Sequence, residues 1–165
     1  MKQLTALFLS LSALVIFSES QAEYSPSTST ITATNLQADG EAAQRDNKAI
    51  LLLVSQEHCS YCVAIKRDVI VPMIMSGNYK NNLLIRELHL DGTSTVIDFD
   101  GVERDSYHFT YNYKVSVTPT LLFLDGRGKE LAEKMVGFQT PDMYYYYVDQ
   151  SIQESLKRLG MKTGQ

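Results

Sequence analysis

Six consecutive apolar residues, Ala-Ile-Leu-Leu-Leu-Val at positions 49–54, run without the alternation that a half-exposed strand shows. A strand-length segment that is apolar at every position is expected to be covered on both faces, as in a sheet with layers packed above and below it. After four intervening residues, Cys59-Ser60-Tyr61-Cys62 opens a stretch of helical pattern over residues 60–70. Cys59 and Cys62 are the only cysteines in 165 residues. A chain of that length forms one domain and buries about two-thirds of its surface unaided, so a disulfide-dense mini-protein is excluded.

The remaining pattern alternates strands and helices. Residues 24–34 are rich in Ser and Thr and read, within a segment 23–35, as an extended arm or frayed terminus. Residues 36–45 form a short helix despite Gly40, and Pro72 bends or restarts the helix over 60–70. A second strand covers 83–90 and ends at Asp91-Gly92. Residues 93–114 carry the weakest pattern, read as a small hairpin around Asp100-Gly101 and a short Tyr-rich helix. Residues 120–124 and 131–136, joined by Asp125-Gly126-Arg127-Gly128, form a hairpin. A closing helix follows over 141–159, with Thr140 as its N-cap, Pro141 in its first position and Gly160 beyond its end. The fold class is therefore α/β, with a central mixed sheet flanked by helices.

The first residues have a separate role. Lys2 precedes fourteen mostly apolar positions, 4–17, and Ser20-Gln21-Ala22 places small residues where a signal peptidase reads. Residues 1–22 are thus a secretory signal, since a membrane span needs roughly twenty apolar residues; an uncleaved anchor is the alternative. Export implies an oxidising compartment, where a lone cysteine pair stays reduced only if something reduces it. Fifteen Lys plus Arg against nineteen Asp plus Glu, a net charge of -4, provide no basic excess for phosphates, so nucleic acid is not an expected partner.

Side chains at i and i+3 of a helix lie about 5–6 Å apart, within the Cα separation that a disulfide tolerates. Cys59 and Cys62 can therefore pair and separate with little backbone motion. Cys59, at the helix start, faces free backbone N–H groups and the positive end of the macrodipole, which favour a thiolate. Cys62, one turn in, is expected to be more buried and to resolve a mixed disulfide formed by Cys59. Other readings compete. Zinc needs four ligands, and only His58, His89 and His108 could complete the set. Haem attachment needs His after the second cysteine, where Val63 stands. A merely structural bridge across two residues gains little loop entropy. The expected state is a redox-active disulfide with no metal and no other cofactor.

A second element is Val117-Thr118-Pro119-Thr120, entering the strand at 120–124. With residues 49–54, Cys59-Ser60-Tyr61-Cys62, the strand ending Leu90-Asp91 and Val136-Gly137-Phe138, it resembles the thioredoxin superfamily over residues 36–160. The signal segment and the Tyr in the motif make it most similar to periplasmic thioredoxin-like proteins of the SoxW type. The resemblance implies a thioredoxin-like fold with a cis Pro119 beside the cysteines. It implies that the Thr118 backbone pairs with an extended substrate peptide, and that Gly137 closes the far side because the sulfurs leave no room for a side chain. The implied function is a periplasmic thiol-disulfide oxidoreductase acting on protein or small-molecule disulfides as a monomer. Its electrons would come from a membrane-embedded thiol donor. A disulfide oxidant or isomerase remains open, since Tyr61 and Thr118 also resemble isomerases of the DsbC type. From another class, a binding or assembly module with a closed disulfide remains open too.

The departures are specific. His58 stands where thioredoxins carry Trp, and it either raises the thiolate fraction of Cys59 or is an exposed bystander. Leu53 stands where they carry a buried Asp, and Glu87 occupies the place of an interior Lys. Glu87 is therefore either a substitute acid/base for the resolving thiol, reaching it through water, or an edge residue facing solvent. Residues 91–119 are about a dozen longer than in a minimal thioredoxin, which indicates an insertion near the site. Tyr144 to Tyr147 and the methionines at 73, 75, 135 and 143 read mainly as core packing.

Overall fold

The computed structural model describes residues 30–161. The expected signal segment and residues 23–29 of the arm lie outside the described residues. A five-stranded sheet forms the centre, in the order β1 (Ile31–Thr32), β3 (Leu83–His89), β2 (Ala49–Ser55), β6 (Thr120–Leu124) and β7 (Met135–Val136). Its middle strand β2 (Ala49–Ser55) is buried at every position. It pairs in parallel with β3 (Leu83–His89), from Ala49 opposite Leu83 to Ser55 opposite His89. On its other side it runs antiparallel to β6 (Thr120–Leu124), with Ile50 opposite Leu124.

The period of two along β2 explains why it is apolar throughout. Ala49, Leu51 and Leu53 join Leu121 and Phe123 in one core layer, covered by α2 (Ser60–Ile65), a π-helical turn (Lys66–Ile70), α3 (Val71–Ser76) and α5 (Pro141–Arg158). Tyr144, Val148, Ile152 and Leu156 form the buried stripe of α5 at four-residue spacing. Ile50, Leu52 and Val54 face the opposite layer with Leu122 and Leu124, under α1 (Leu36–Arg45) and the segment between β3 and β6.

Within the described part of the arm, β1 (Ile31–Thr32) is extended and pairs in parallel with β3, and the Ala33 N–H donates to the Glu87 carbonyl at 2.7 Å. Three expectations change on contact with the structure. Pro72 does not restart the helix. The turn before it widens, with the Val71 N–H donating to the Lys66 carbonyl, and helical backbone continues to Gly77 at φ 68°. A proline ring collides with the carbonyl four residues back, and the π turn moves that carbonyl aside. The second hairpin strand is shorter than expected, reduced to β7 (Met135–Val136). Leu131 and Ala132 are neighbours yet both enter the same core layer, which a regular strand forbids, so the ladder breaks there. Finally, Thr140 precedes α5 in a left-handed conformation (φ 45°) and its side chain makes no cap bond. Capping needs an extended backbone to swing the hydroxyl over the first amides.

The insertion forms a compact annex. β4 (Thr95–Ile97) and β5 (Glu103–Asp105) are an antiparallel hairpin. Its turn is tied by Asp98, which accepts from the Asp100 and Val102 N–H groups at 2.9 Å each and pairs with Arg104. Asp105 then caps α4 (Ser106–Tyr111), accepting from the Tyr107 N–H at 2.9 Å. Val96 and Phe109 anchor this annex in the second core layer, which sets Tyr107 beside the loop after β2. The tyrosine run divides between roles: Tyr144 is core, while Tyr146 and Tyr147 are exposed and stack edge-to-face at 5.7 Å. Among the methionines, Met73 is core but Met75 and Met143 are exposed. No helix among the described residues is long and apolar enough to cross a membrane.

Candidate active site

The loop leaving β2 is pinned before it reaches the cysteines: the Glu57 N–H donates to both carboxylate oxygens of Asp91, at 2.8 and 2.9 Å. Cys59 then occupies the N-cap of α2 in an extended conformation, and its Sγ accepts from the Cys62 N–H at 3.1 Å. A disulfide joins Cys59 to Cys62 with their Cα atoms 5.2 Å apart. Cys62 is 1% exposed and Cys59 is half-buried, while Tyr61 between them is 62% exposed. A nucleophile or incoming disulfide can therefore reach the first sulfur and not the second. The N-cap amides that favour a Cys59 thiolate are in place.

Thr118 and Pro119 lie across from Cys59, and the peptide bond between them is cis. The Thr118 hydroxyl is 3.7 Å from Cys59 Sγ and donates to Gln56 Oε1 at 3.0 Å. Gly137 adjoins this segment, its N–H donating to the Pro119 carbonyl at 2.8 Å. The reason expected for that glycine needs correcting. A Cβ there would approach nothing nearer than Gln139, at 4.0 Å, so space is not what Gly137 provides. Its φ of 75° is the requirement, a left-handed backbone that side chains disfavour.

Glu87 does not face solvent. It is 3% exposed and lies opposite Leu53 in the β2–β3 register. Ser55 Oγ donates to Glu87 Oε1 at 2.6 Å, Lys66 Nζ donates to the same oxygen at 2.9 Å, and Thr30 Oγ1 donates to Oε2. Burial pushes this carboxyl up, but the bonds from Ser55, Thr30 and Lys66 together with the Lys66 charge outweigh it and hold Glu87 below the usual glutamate range. Glu87 is thus an ionised, paired group under the cysteine helix, and its hydrogen bonds go to Ser55, Thr30 and Lys66 rather than to a sulfur. His58 is exposed in a left-handed conformation (φ 55°) and makes no hydrogen bond or ion pair among the described residues.

The structure therefore unites Cys59, Cys62, Thr118, Pro119 and Gly137, with Tyr61 on the rim. Glu87 sits beneath them, and His58 stands apart. Gln56, Tyr107 and Lys66 were not singled out by sequence reasoning. Lys66 had a signal, since it lies four residues after Cys62 on the helix and opposite a lone Glu in an apolar strand. Nothing local marks Gln56 or Tyr107, which are 51 residues apart and meet through a 2.8 Å bond from Gln56 Nε2 to the Tyr107 hydroxyl.

Comparisons with known proteins agree with this fold. No curated protein matches the chain in sequence. Among solved structures, the oxidised mitochondrial thioredoxin 3 of Saccharomyces cerevisiae is similar at 16% identity, over 79% of this chain and 99% of that one, with a TM-score of 0.52. Thioredoxin f from spinach chloroplast is similar at 13% identity, over 77% and 94%, with a TM-score of 0.51. A DsbH oxidoreductase is similar at 17% identity, over 85% and 94%, with a TM-score of 0.52. A family model described as a thioredoxin-like domain matches residues 36–152, which span every element from α1 through most of α5. The chain belongs to the thioredoxin-like domain family, and its cysteine pair makes it a thiol-disulfide oxidoreductase.

Proposed function

We propose that this protein is a periplasmic reductase of disulfides, most directly those of proteins. The observation that carries the reading is the asymmetry of the pair: Cys59 is accessible at a helix start while Cys62 is buried behind it. In the reduced protein, the Cys59 thiolate attacks one sulfur of a substrate disulfide, forming a mixed disulfide and releasing the other sulfur as a thiolate that takes a proton. Cys62, giving up its proton, then attacks Cys59 Sγ. The substrate leaves as a dithiol, and the Cys59–Cys62 bond seen here is restored. Two electrons have moved from the pair to the substrate, and a membrane-embedded thiol donor returns them by the same exchange. The backbone of half-buried Thr118 lies beside Cys59, where an extended peptide would find a strand-like partner. The signal-like residues 1–22 support a periplasmic location.

Insulin reduction and a trapping variant test this together. The wild type is expected to reduce insulin, Cys59→Ser to lose the activity entirely, and Cys62→Ser to accumulate mixed disulfides through Cys59 in periplasmic extracts. A wild type that reduces nothing, with no trapped partner, would return the chain to a binding module with a closed bridge. A redox titration tests the direction: a reductase is expected near the thioredoxin value of about -270 mV, whereas a value near about -120 mV assigns an oxidant.

A further inference from the structure

The Thr118 hydroxyl carries a single proton and has two acceptors within reach, Gln56 Oε1 at 3.0 Å and Cys59 Sγ at 3.7 Å. In the disulfide form the oxygen wins, because a disulfide sulfur is a weak acceptor. The chain of donors therefore points away from the cysteines: Thr118 donates to Gln56 Oε1, and Gln56 Nε2 donates to the Tyr107 hydroxyl at 2.8 Å. Reduction replaces that sulfur with a thiolate, an ionised acceptor whose hydrogen bonds are roughly twice as strong as neutral ones. Once the proton turns to Cys59, Gln56 Oε1 faces a hydroxyl oxygen with no proton between them, and the arrangement is unfavourable. A half-turn of the Gln56 amide removes the conflict. Its NH2 then donates to Thr118, and its oxygen accepts from the Tyr107 hydroxyl, which serves as donor or acceptor equally well.

We propose that Gln56 and Tyr107 are positioning residues for Cys59, forming with Thr118 a hydrogen-bond chain that points away from the disulfide and reverses toward the sulfur on reduction. The insertion thereby reaches the redox pair: Tyr107, at the start of α4 and half exposed, closes the chain that ends 3.7 Å from Cys59 Sγ. A group at the far end of the chain, such as a partner side chain bonding to Tyr107, would favour one polarity over the other and so bias the thiolate. The inference rests on the redox reading of the pair. It is tested with a chemical reductant, so that loss of disulfide-reductase activity and failure of the reversal are separate results.

Side-chain amide NMR of the wild type before and after reduction by dithiothreitol is the direct test. The Gln56 NH2 protons are expected to show contacts to Tyr107 when oxidised and to Thr118 when reduced. An amide that keeps its orientation through reduction overturns the proposal. Thiolate absorbance against pH is the second arm. Thr118→Val is expected to lower the Cys59 acid constant about tenfold, Gln56→Leu about threefold and Tyr107→Phe by less, all in the same direction. The charged neighbours on the same loop and at the end of β3, Glu57, His58 and Asp91, are unchanged in all three variants. A Gln56→Leu variant whose thiol becomes more acidic would show Gln56 to be a competitor for the Thr118 proton and would overturn the chain; an unchanged thiol overturns it as well.

Discussion

Replacing Lys66 with methionine is expected to destabilise the domain by about 3–5 kcal/mol at neutral pH, a fall of roughly 10 °C or more in melting midpoint. Among the described residues the ammonium is the only cation hydrogen-bonded to Glu87, at 2.9 Å, and the two side chains are 12% and 4% exposed. Removing it leaves a carboxylate in the interior with hydrogen bonds from Ser55 and Thr30 but no opposing charge close by. His89, whose Nε2 is 3.8 Å from the same oxygen, approaches too loosely to replace it.

The pH dependence carries the sharper signature. In the wild type Glu87 titrates below its usual 4.5. Its contribution is therefore complete above that value and is lost as pH falls through the folded-state pKa. In the Lys66→Met protein burial is no longer outweighed, and the folded-state pKa is expected to rise above 4.5. The folded state then binds more protons than the unfolded state as pH falls toward 4.5, so stability increases on mild acidification. Denaturant titrations between pH 7 and pH 4.5 check this. A cost below about 1 kcal/mol with the wild-type slope would mean that the pair behaves as a solvated surface pair. Adding Glu87→Leu to Lys66→Met is expected to recover much of the loss, because it removes the stranded charge.

Gly40→Ala is expected to destabilise the protein by about 2–3 kcal/mol, although alanine is favoured over glycine in a helix by about 1 kcal/mol. Gly40 lies inside α1 and faces Gly126, in the turn after β6. A Cβ on Gly40 would overlap the Gly126 carbonyl oxygen, and a Cβ on Gly126 would come to 2.5 Å from the Gly40 carbonyl oxygen. The obstacle on both sides is backbone, which cannot rotate away as a flexible side chain could. Gln44 seals the contact by donating from Nε2 to the Gly126 carbonyl at 2.8 Å. Thermal unfolding of Gly40→Ala is expected to show a lower midpoint. A raised midpoint would mean that helix propensity prevails and that the approach is loose.

Much of the fold was legible because burial leaves a local period. The unbroken apolar run at 49–54 marked a strand covered on both faces, and β2 is buried throughout. The cysteine spacing at a helix start marked the site, and Cys59 is the N-cap of α2. Even the weakly patterned insertion was read as a hairpin and a short helix, now β4, β5 and α4. These signals lie within a few residues of one another, where backbone geometry ties sequence directly to direction.

Only the tertiary structure decided which polar groups meet. Whether Glu87 faces water depended on β1 covering the sheet edge and on Lys66 reaching across from the helix. The glycine inside α1 looked like a defect and is a contact point with a turn far along the chain. Gln56 and Thr118 are 62 residues apart, and Tyr107 reaches them from an annex seated by Val96 and Phe109. Periods of 2 and 3.6 residues tell a side chain which way to point. They do not tell it what it will find there, because that partner is chosen by strand register and layer packing between distant segments.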